Sequence, residues 1–397
     1  MAASIRRVLR RDIVIICLIA FIADNVWSLQ SPTFSNYASG LGASLSLVGL
    51  LSSLAGLTQL FSSMWLGLQS DVRGRKIVIV LGLVVFSMSM FVFSLATSPW
   101  MLVPGRILFG LGTVSIFTIG AAYVGDVITV EERGLAFGLF ATSMGMGATT
   151  GPFIGALIQP VVGIQGTYIW GGLLAASGAG VAWRGLSDTR LLRVGPPLIH
   201  RMPAVGSMLA ILKNPNLLAA CLVTLVANTS FIGLIASFFP VYLTSLSLPQ
   251  TTINGMFSVR AFFSTVTRLP AAIIGARISR WFFMLVALAV MGLVALAMSF
   301  TDRIVVLSIL LVCEGIAFGS VLAVGQSFVA EHSTQETRGA AIGMYSTVGS
   351  LGSTFSPLLL GIAADSWGIF AVFRLTAAVI GVGLAVIVAL YVVGRRP

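Results

Sequence analysis

The sequence predicts an all-α membrane protein of twelve transmembrane helices, arranged as two six-helix bundles that are parallel repeats of each other. Three observations predict it: an apolar composition, apolar runs of spanning length, and an internal repeat at a constant shift of 205 residues.

Of 397 residues, 57% are hydrophobic and 9% charged, whereas a soluble chain is roughly one-quarter charged. So few charges cannot cover a water-exposed surface, so lipid is the expected solvent for most of it. The formal net charge of +11 invites a nucleic-acid reading. Yet the basic residues sit in short stretches between apolar runs, with no interleaved aromatics, and nucleic acid is not an expected partner. Cys17, Cys221 and Cys313 lie inside apolar runs without metal-ligand spacing, so neither catalysis nor zinc binding is expected there. The basic N-terminus and the apolar run after it resemble a signal peptide. That run holds Asp24 and leads into further spans, so it reads as a retained first span.

A span needs about 20 mostly apolar residues. Twelve such runs appear, at 13–37, 43–69, 76–97, 100–125, 134–157, 165–187, 216–243, 251–276, 281–300, 304–329, 338–363 and 369–393, called spans 1 to 12 below. The long polar interval 188–214 separates an N-terminal six-helix bundle (1–187) from a C-terminal one (215–397), and reads as a cytoplasmic linker. With both termini cytoplasmic, every Lys and Arg except Arg106, Arg260, Arg268, Arg303 and Arg374 falls at a terminus or an even-numbered loop. That is the positive-inside asymmetry of a multi-pass protein of the plasma (cytoplasmic) membrane.

The repeat is the strongest signal. A shift of 205 sets Asp126, Thr129, Glu131, Arg133, Gly134, Ala136 and Gly138 on Glu331, Thr334, Glu336, Arg338, Gly339, Ala341 and Gly343. The same shift matches Tyr37 with Tyr242, Arg75 with Arg280, Gly110 with Gly315, Gly147 with Gly352 and Pro152 with Pro357. Six spans per half make the halves parallel. In transporters so built, substrate binds near mid-membrane at the repeat interface and rocking gives access to each side in turn.

Ionisable side chains inside spans are costly and mark function by default. Asp24, Arg260 and Glu314 lie at comparable mid-span depth, Arg106 nearer the outer face and Arg268 nearer the cytoplasm. A desolvated carboxylate that changes protonation as a cavity opens to either side is what proton coupling requires. The structural alternative is an Arg260–Glu314 ion pair. Asn25, Gln30, Gln59, Asn228 and Gln326 could line a substrate cavity, with Phe117, Phe231, Tyr242 and Trp27 as aromatic walls or as ordinary packing. Asp302 and Asp365 read as solvated outer-loop acids, and His200 and His332 as incidental loop residues. No Ser/His, His/Glu or paired-carboxylate set has catalytic spacing, so neither enzyme activity nor a cofactor is expected.

Three motifs give a resemblance. Gly67-Leu68-Gln69-Ser70-Asp71-Val72-Arg73-Gly74-Arg75-Lys76, between spans 2 and 3, resembles the signature loop of the major facilitator superfamily. A degenerate copy at 272–281 keeps Arg277 and Arg280 but has Ala276 in place of the carboxylate. Span 4 carries Arg106-x3-Gly110-x-Gly112, and span 5 carries Gly147-x3-Gly151-Pro152-x2-Gly155, which looks like the motif of the family's antiporters. Gln69, Val72 and Ala156 depart from the usual pattern.

The resemblance, to the twelve-span drug/proton antiporter branch, implies a conformational latch of Gly67, Asp71, Gly74, Arg75, Asp126 and Arg133. In it Asp71 faces the start of span 11, Arg133 lies near Asp71, and Arg75 near Asp126. The alternative is that the loop's basic residues are merely topogenic. The resemblance also implies that the glycines of span 5 pack closely on span 8 against proton leak, ordinary helix packing being the alternative. The expected function is a secondary active transporter working by rocker-switch alternating access. The first expectation is a proton-coupled antiporter exporting hydrophobic or cationic small molecules, as a monomer. Asp24, Glu314 and Arg106 would handle protons. A carrier of small organic anions using Arg260 and Arg106 is the second reading, and a receptor or scaffold without turnover the third.

Overall fold

The structure, a computed structural model, describes residues 10–129, 132–188, 214–333 and 338–394. The linker expected at 188–214 therefore lies outside the described residues except at its two ends. Among the described residues every regular element is a helix. That is one of the two ways a lipid-embedded chain can satisfy its own backbone groups.

Ten helices among the described residues are long and apolar enough to cross a membrane. Two details reconcile that number with the twelve runs expected. Helix Arg133–Gly185 carries both spans 5 and 6 and is broken at Gly163, where φ is +70°. Glycine adopts that conformation without the steric cost of a side chain. The spans read from the sequence leave 158–164 between them; helix fills that interval except at this single residue. Span 8, Gln250–Arg277, is a regular helix of 28 residues. It is not among the ten because Thr251, Thr252, Asn254, Arg260 and Arg268 dilute its apolar character.

Spans 4 and 7 are not uniform α-helix. Span 4 passes from α-helix (Leu102–Thr113) through a π-helical stretch, Val114–Thr118, and back to α-helix (Ile119–Val127). Span 7 continues from Pro215–Asn228 into a longer π-helical stretch, Thr229–Ala236. Such stretches widen the helix locally and frequently occur at functional sites.

Contacts divide the chain into two compact units: Met1–Gly42, Leu54–Ile199 and Pro249–Ser258 in the first, and Ala43–Ser53, His200–Leu248 and Val259–Pro397 in the second. The start of span 2 thus belongs with the second unit and the start of span 8 with the first. A shift of 205 residues relates the two exchanged stretches.

Within the first unit, span 1 (Arg11–Gly40) lies against the long helix of spans 5 and 6. At one end Asp12 accepts from the Tyr123 hydroxyl (2.6 Å), the Ser187 N–H (2.7 Å) and the Ser187 hydroxyl (3.0 Å). At the other, Tyr37 donates to the carbonyls of Phe93 and Ala96 at 3.0 and 2.9 Å. Glycine sets the closest approaches: a Cβ on Gly112 would strike the backbone of Phe86, and one on Gly82 the side chain of Ser115. The second unit packs around Trp281, Met284, Phe318, Phe328 and Tyr345, with Tyr242 donating to the Thr301 carbonyl at 2.9 Å.

Candidate functional site

On the side of the basic loops, Arg75 gathers three oxygens. Its guanidinium lies 2.7 Å from Asp71 and 3.0 Å from Asp126, and donates to Ser70 Oγ at 2.6 Å. The tight turn into span 3 positions it: Gly74 has φ of +92° at the helix start. Arg133 is exposed and donates to the Gly125 carbonyl at 3.4 Å. A Cβ on Gly67 would meet nothing within 4 Å. The second unit holds the counterpart. Arg280, 205 residues after Arg75, pairs with Glu331, 205 residues after Asp126. Ala276 borders a cavity of about 530 Å³ where the counterpart of Asp71 would stand.

The glycines of span 5 correct an expectation. Gly147 and Gly151 pack on span 1, where added Cβ atoms would strike Phe21 and Asn25 carbonyls and the Asp24 side chain. Thr150 between them accepts from Asn25 Nδ2 at 2.9 Å. Only Gly155 approaches span 8, at Asn254. The helical period put all three on one face; it could not say that span 1 covers most of that face. Pro152 lies buried within continuous helix, and the break falls at Gly163.

Close by, Asp24 is half-buried, whereas Asn25 and Gln30 are buried. Asn25 Oδ1 and Gln30 Oε1 have no hydrogen-bond partner among the described residues. Gln59 and Phe117 are half-buried, Phe117 on the π-helical stretch of span 4. Arg106 is 6% exposed. Its guanidinium lies 3.2 Å from the centre of the Phe34 ring, and Nε has no hydrogen-bond partner among the described residues. Sequence reasoning missed Phe34 altogether; only its offset of four from Gln30 on one helix hinted at it.

In the second unit Arg260 and Glu314 form an ion pair at 2.5 Å, with the two residues 4% and 1% exposed. Phe231, on the π-helical stretch of span 7, places its ring 4.0 Å from the guanidinium. Gly315 brings the two helices together: a Cβ there would lie 2.7 Å from the Arg260 carbonyl and 2.8 Å from Arg260 Cγ. Arg260 Nη2 and Glu314 Oε1 remain without hydrogen-bond partners among the described residues. A buried pair left incompletely satisfied is poor evidence for stability and points elsewhere.

The other expected residues scatter. Asn228 donates to the Thr224 carbonyl of its own helix at 2.8 Å. Tyr242 is buried and committed to Thr301, and Gln326 is exposed. His332 stacks on Phe328 at 4.0 Å between ring centres. Asp365, expected to be merely solvated, accepts backbone hydrogen bonds from Leu45 and Ser46 at 3.0 and 2.9 Å.

The family description of the Major Facilitator Superfamily matches residues 16–259 and 230–397. Multidrug resistance protein MdtG of Salmonella choleraesuis is 26% identical over 384 residues, covering 94% of this chain and 93% of that protein; MdtG of Salmonella typhi gives the same figures. Among solved structures, a bacterial homologue of the human lysosomal transporter Spinster superposes with a TM-score of 0.82 at 12% identity, over 97% of this chain and 98% of that one. Nucleoside transporter NupG gives 0.79 at 13%, over 96% and 98%. The human organic anion transporter MFSD10 gives 0.66 at 18%, over 95% and 99%. Family and fold agree with the repeat and the motifs, and the chain belongs to the Major Facilitator Superfamily, as a multi-pass membrane transporter and not an enzyme.

Proposed function

We propose that this transporter is a proton-coupled antiporter that exports hydrophobic or cationic small molecules by rocker-switch alternating access. It would act as a monomer in the cytoplasmic membrane with both termini inside. The observation that carries the reading is the buried Arg260–Glu314 pair. A proton on Glu314 would leave the Arg260 guanidinium buried without its counter-charge, a penalty of about 3–5 kcal/mol. Protonation is thereby coupled to rearrangement of spans 8 and 10. Asp24, half-buried on span 1 and seated by Gly147, supplies the negative charge that a cationic substrate would seek. Similarity to multidrug resistance proteins along almost the whole chain supports the substrate class. The charge asymmetry of the loops supports the orientation.

In proton-loaded proteoliposomes, adding a lipophilic cation should release luminal protons. Asp24→Asn and Glu314→Gln should each abolish that release. Full exchange in both variants would sink the coupling assignment.

One observation favours a second reading, a carrier of small organic anions: Arg106 is buried, and its Nε has no hydrogen-bond partner among the described residues. Counterflow against a panel of carboxylates and phosphates decides it. An anion carrier would lose counterflow in Arg106→Ala, whereas a cation exporter would show no anion counterflow in the parent.

A further inference from the structure

Span 2 begins at Leu45, and its first-turn N–H groups have no partners within the helix. A local cap is present, since Ser44 Oγ accepts from the Leu47 N–H at 3.2 Å. The Leu45 and Ser46 N–H groups reach instead to the two carboxylate oxygens of Asp365, at 3.0 and 2.9 Å. Asp365 is 320 residues away in sequence, at the far end of span 11. The negative charge faces the positive end of the span 2 helix dipole, where it is most stabilising. Below it the helices touch closely: a Cβ on Gly49 would strike the Pro357 carbonyl, and one on Gly361 the Leu45 carbonyl. Ser53 Oγ then accepts from the Leu358 N–H at 3.0 Å. The stretch that belongs with the second unit ends at Ser53.

The related stretch of span 8 is held by different chemistry. Asn36 donates to Gln250 (2.6 Å), Gln250 to Asn254 (3.0 Å), and Asn254 to Gln159 (3.0 Å). Ser258, 205 residues after Ser53, donates to the Thr149 carbonyl at 2.7 Å. The position related to Asp365 is Pro160. One clasp is therefore a chain of neutral amides, and the other is a single carboxylate on a helix end.

We propose that Asp365 is a release latch on the side opposite the basic loops: its two bonds to Leu45 and Ser46 hold the start of span 2 on span 11, and they must break for that side to open. The latch is the opposite-side partner of the Asp71 and Arg75 cluster, on residues that no signature motif contains. It rests on the alternating-access part of the reading above and not on the coupling ion or the substrate.

The test is a nitroxide distance measurement on the full chain in nanodiscs. Cys17, Cys221 and Cys313 are replaced by Ser, and labels are placed at the exposed positions Leu50→Cys and Leu359→Cys. Asp365→Asn keeps the shape but loses the charge and one acceptor. It should raise the ratio of long to short distances on the order of tenfold. Leu45→Pro removes one donor at a helix position that tolerates proline, and should shift the ratio the same way. Asp302→Asn, at another exposed acid on that side, should leave it unchanged. A distance distribution in Asp365→Asn and Leu45→Pro that matches the parent, even with a lowered melting temperature, overturns the latch. So does an equal shift in Asp302→Asn. Flux is the separate readout: a parent that exchanges nothing in proteoliposomes sinks the antiporter reading, and the distance shift still judges the latch.

Discussion

Gly110 and Gly315 stand 205 residues apart and do the same work in the two units. A Cβ on Gly110 would strike the carbonyl of Ala55; one on Gly315 would strike the carbonyl of Arg260. Ala55 and Arg260 are themselves related by the same 205. The backbone crossing is repeated, and the side chains on it are not. Where the second unit has Arg260 and Glu314, the first has Ala55 and Phe109; where the first has Asp24 and Arg106, the second has Thr229 and Leu311. The repeat preserves the approach of helices, and the charged groups have been placed separately in each half.

The two halves differ most at the ion pair. Glu314→Ala should destabilise the protein by about 3–5 kcal/mol, because it leaves Arg260 buried and uncompensated. Arg260→Met combined with Glu314→Leu, which removes both charges, should recover most of the loss and still not couple to protons. Thermal unfolding in detergent and proton release in vesicles separate the two effects. Recovery of proton release in the double variant would show that the pair is scaffold only.

A smaller effect is expected at the crossings. Gly110→Ala and Gly315→Ala should each cost about 1–3 kcal/mol by overpacking against a backbone carbonyl. Only Gly315→Ala should also impair exchange, since it displaces Arg260. Equal exchange in the two variants would erase the functional distinction between the halves.

The smallest effect tests how closely the symmetry holds. Tyr37 donates to two carbonyls and Tyr242 to one. The one Tyr37 hydroxyl proton is shared between its two carbonyls, and Tyr37→Phe takes it from both, so at about 1 kcal/mol it should lower the melting temperature at least as much as Tyr242→Phe. The reverse order would mean that the shared position is not used alike.

Much of the fold was legible because a membrane imposes a length and a polarity on each helix, and the repeat fixed how the halves correspond. Residues whose partners lie far along the chain were not legible. Asp365 looks like a solvated loop acid until Leu45 is seen beside it. Gly147 and Gly151 mark a face of span 5, and nothing local says that span 1 fills it. The π-helical stretches 114–118 and 229–236 carry no spacing signal that hydropathy could register. Depth alone made Arg260 and Glu314 plausible partners; contact depended on Gly315.

The exchange of 249–258 into the first unit has a consequence for biosynthesis. The first six helices leave the ribosome before Gln250, Asn254 and Ser258 exist, so Gln159 and Asn36 must wait for amide partners encoded after the linker. The early half is inserted before it can be finished. Cutting the gene between the halves would therefore leave the first fragment short of its last turns, and co-expression of both pieces should be needed to complete it.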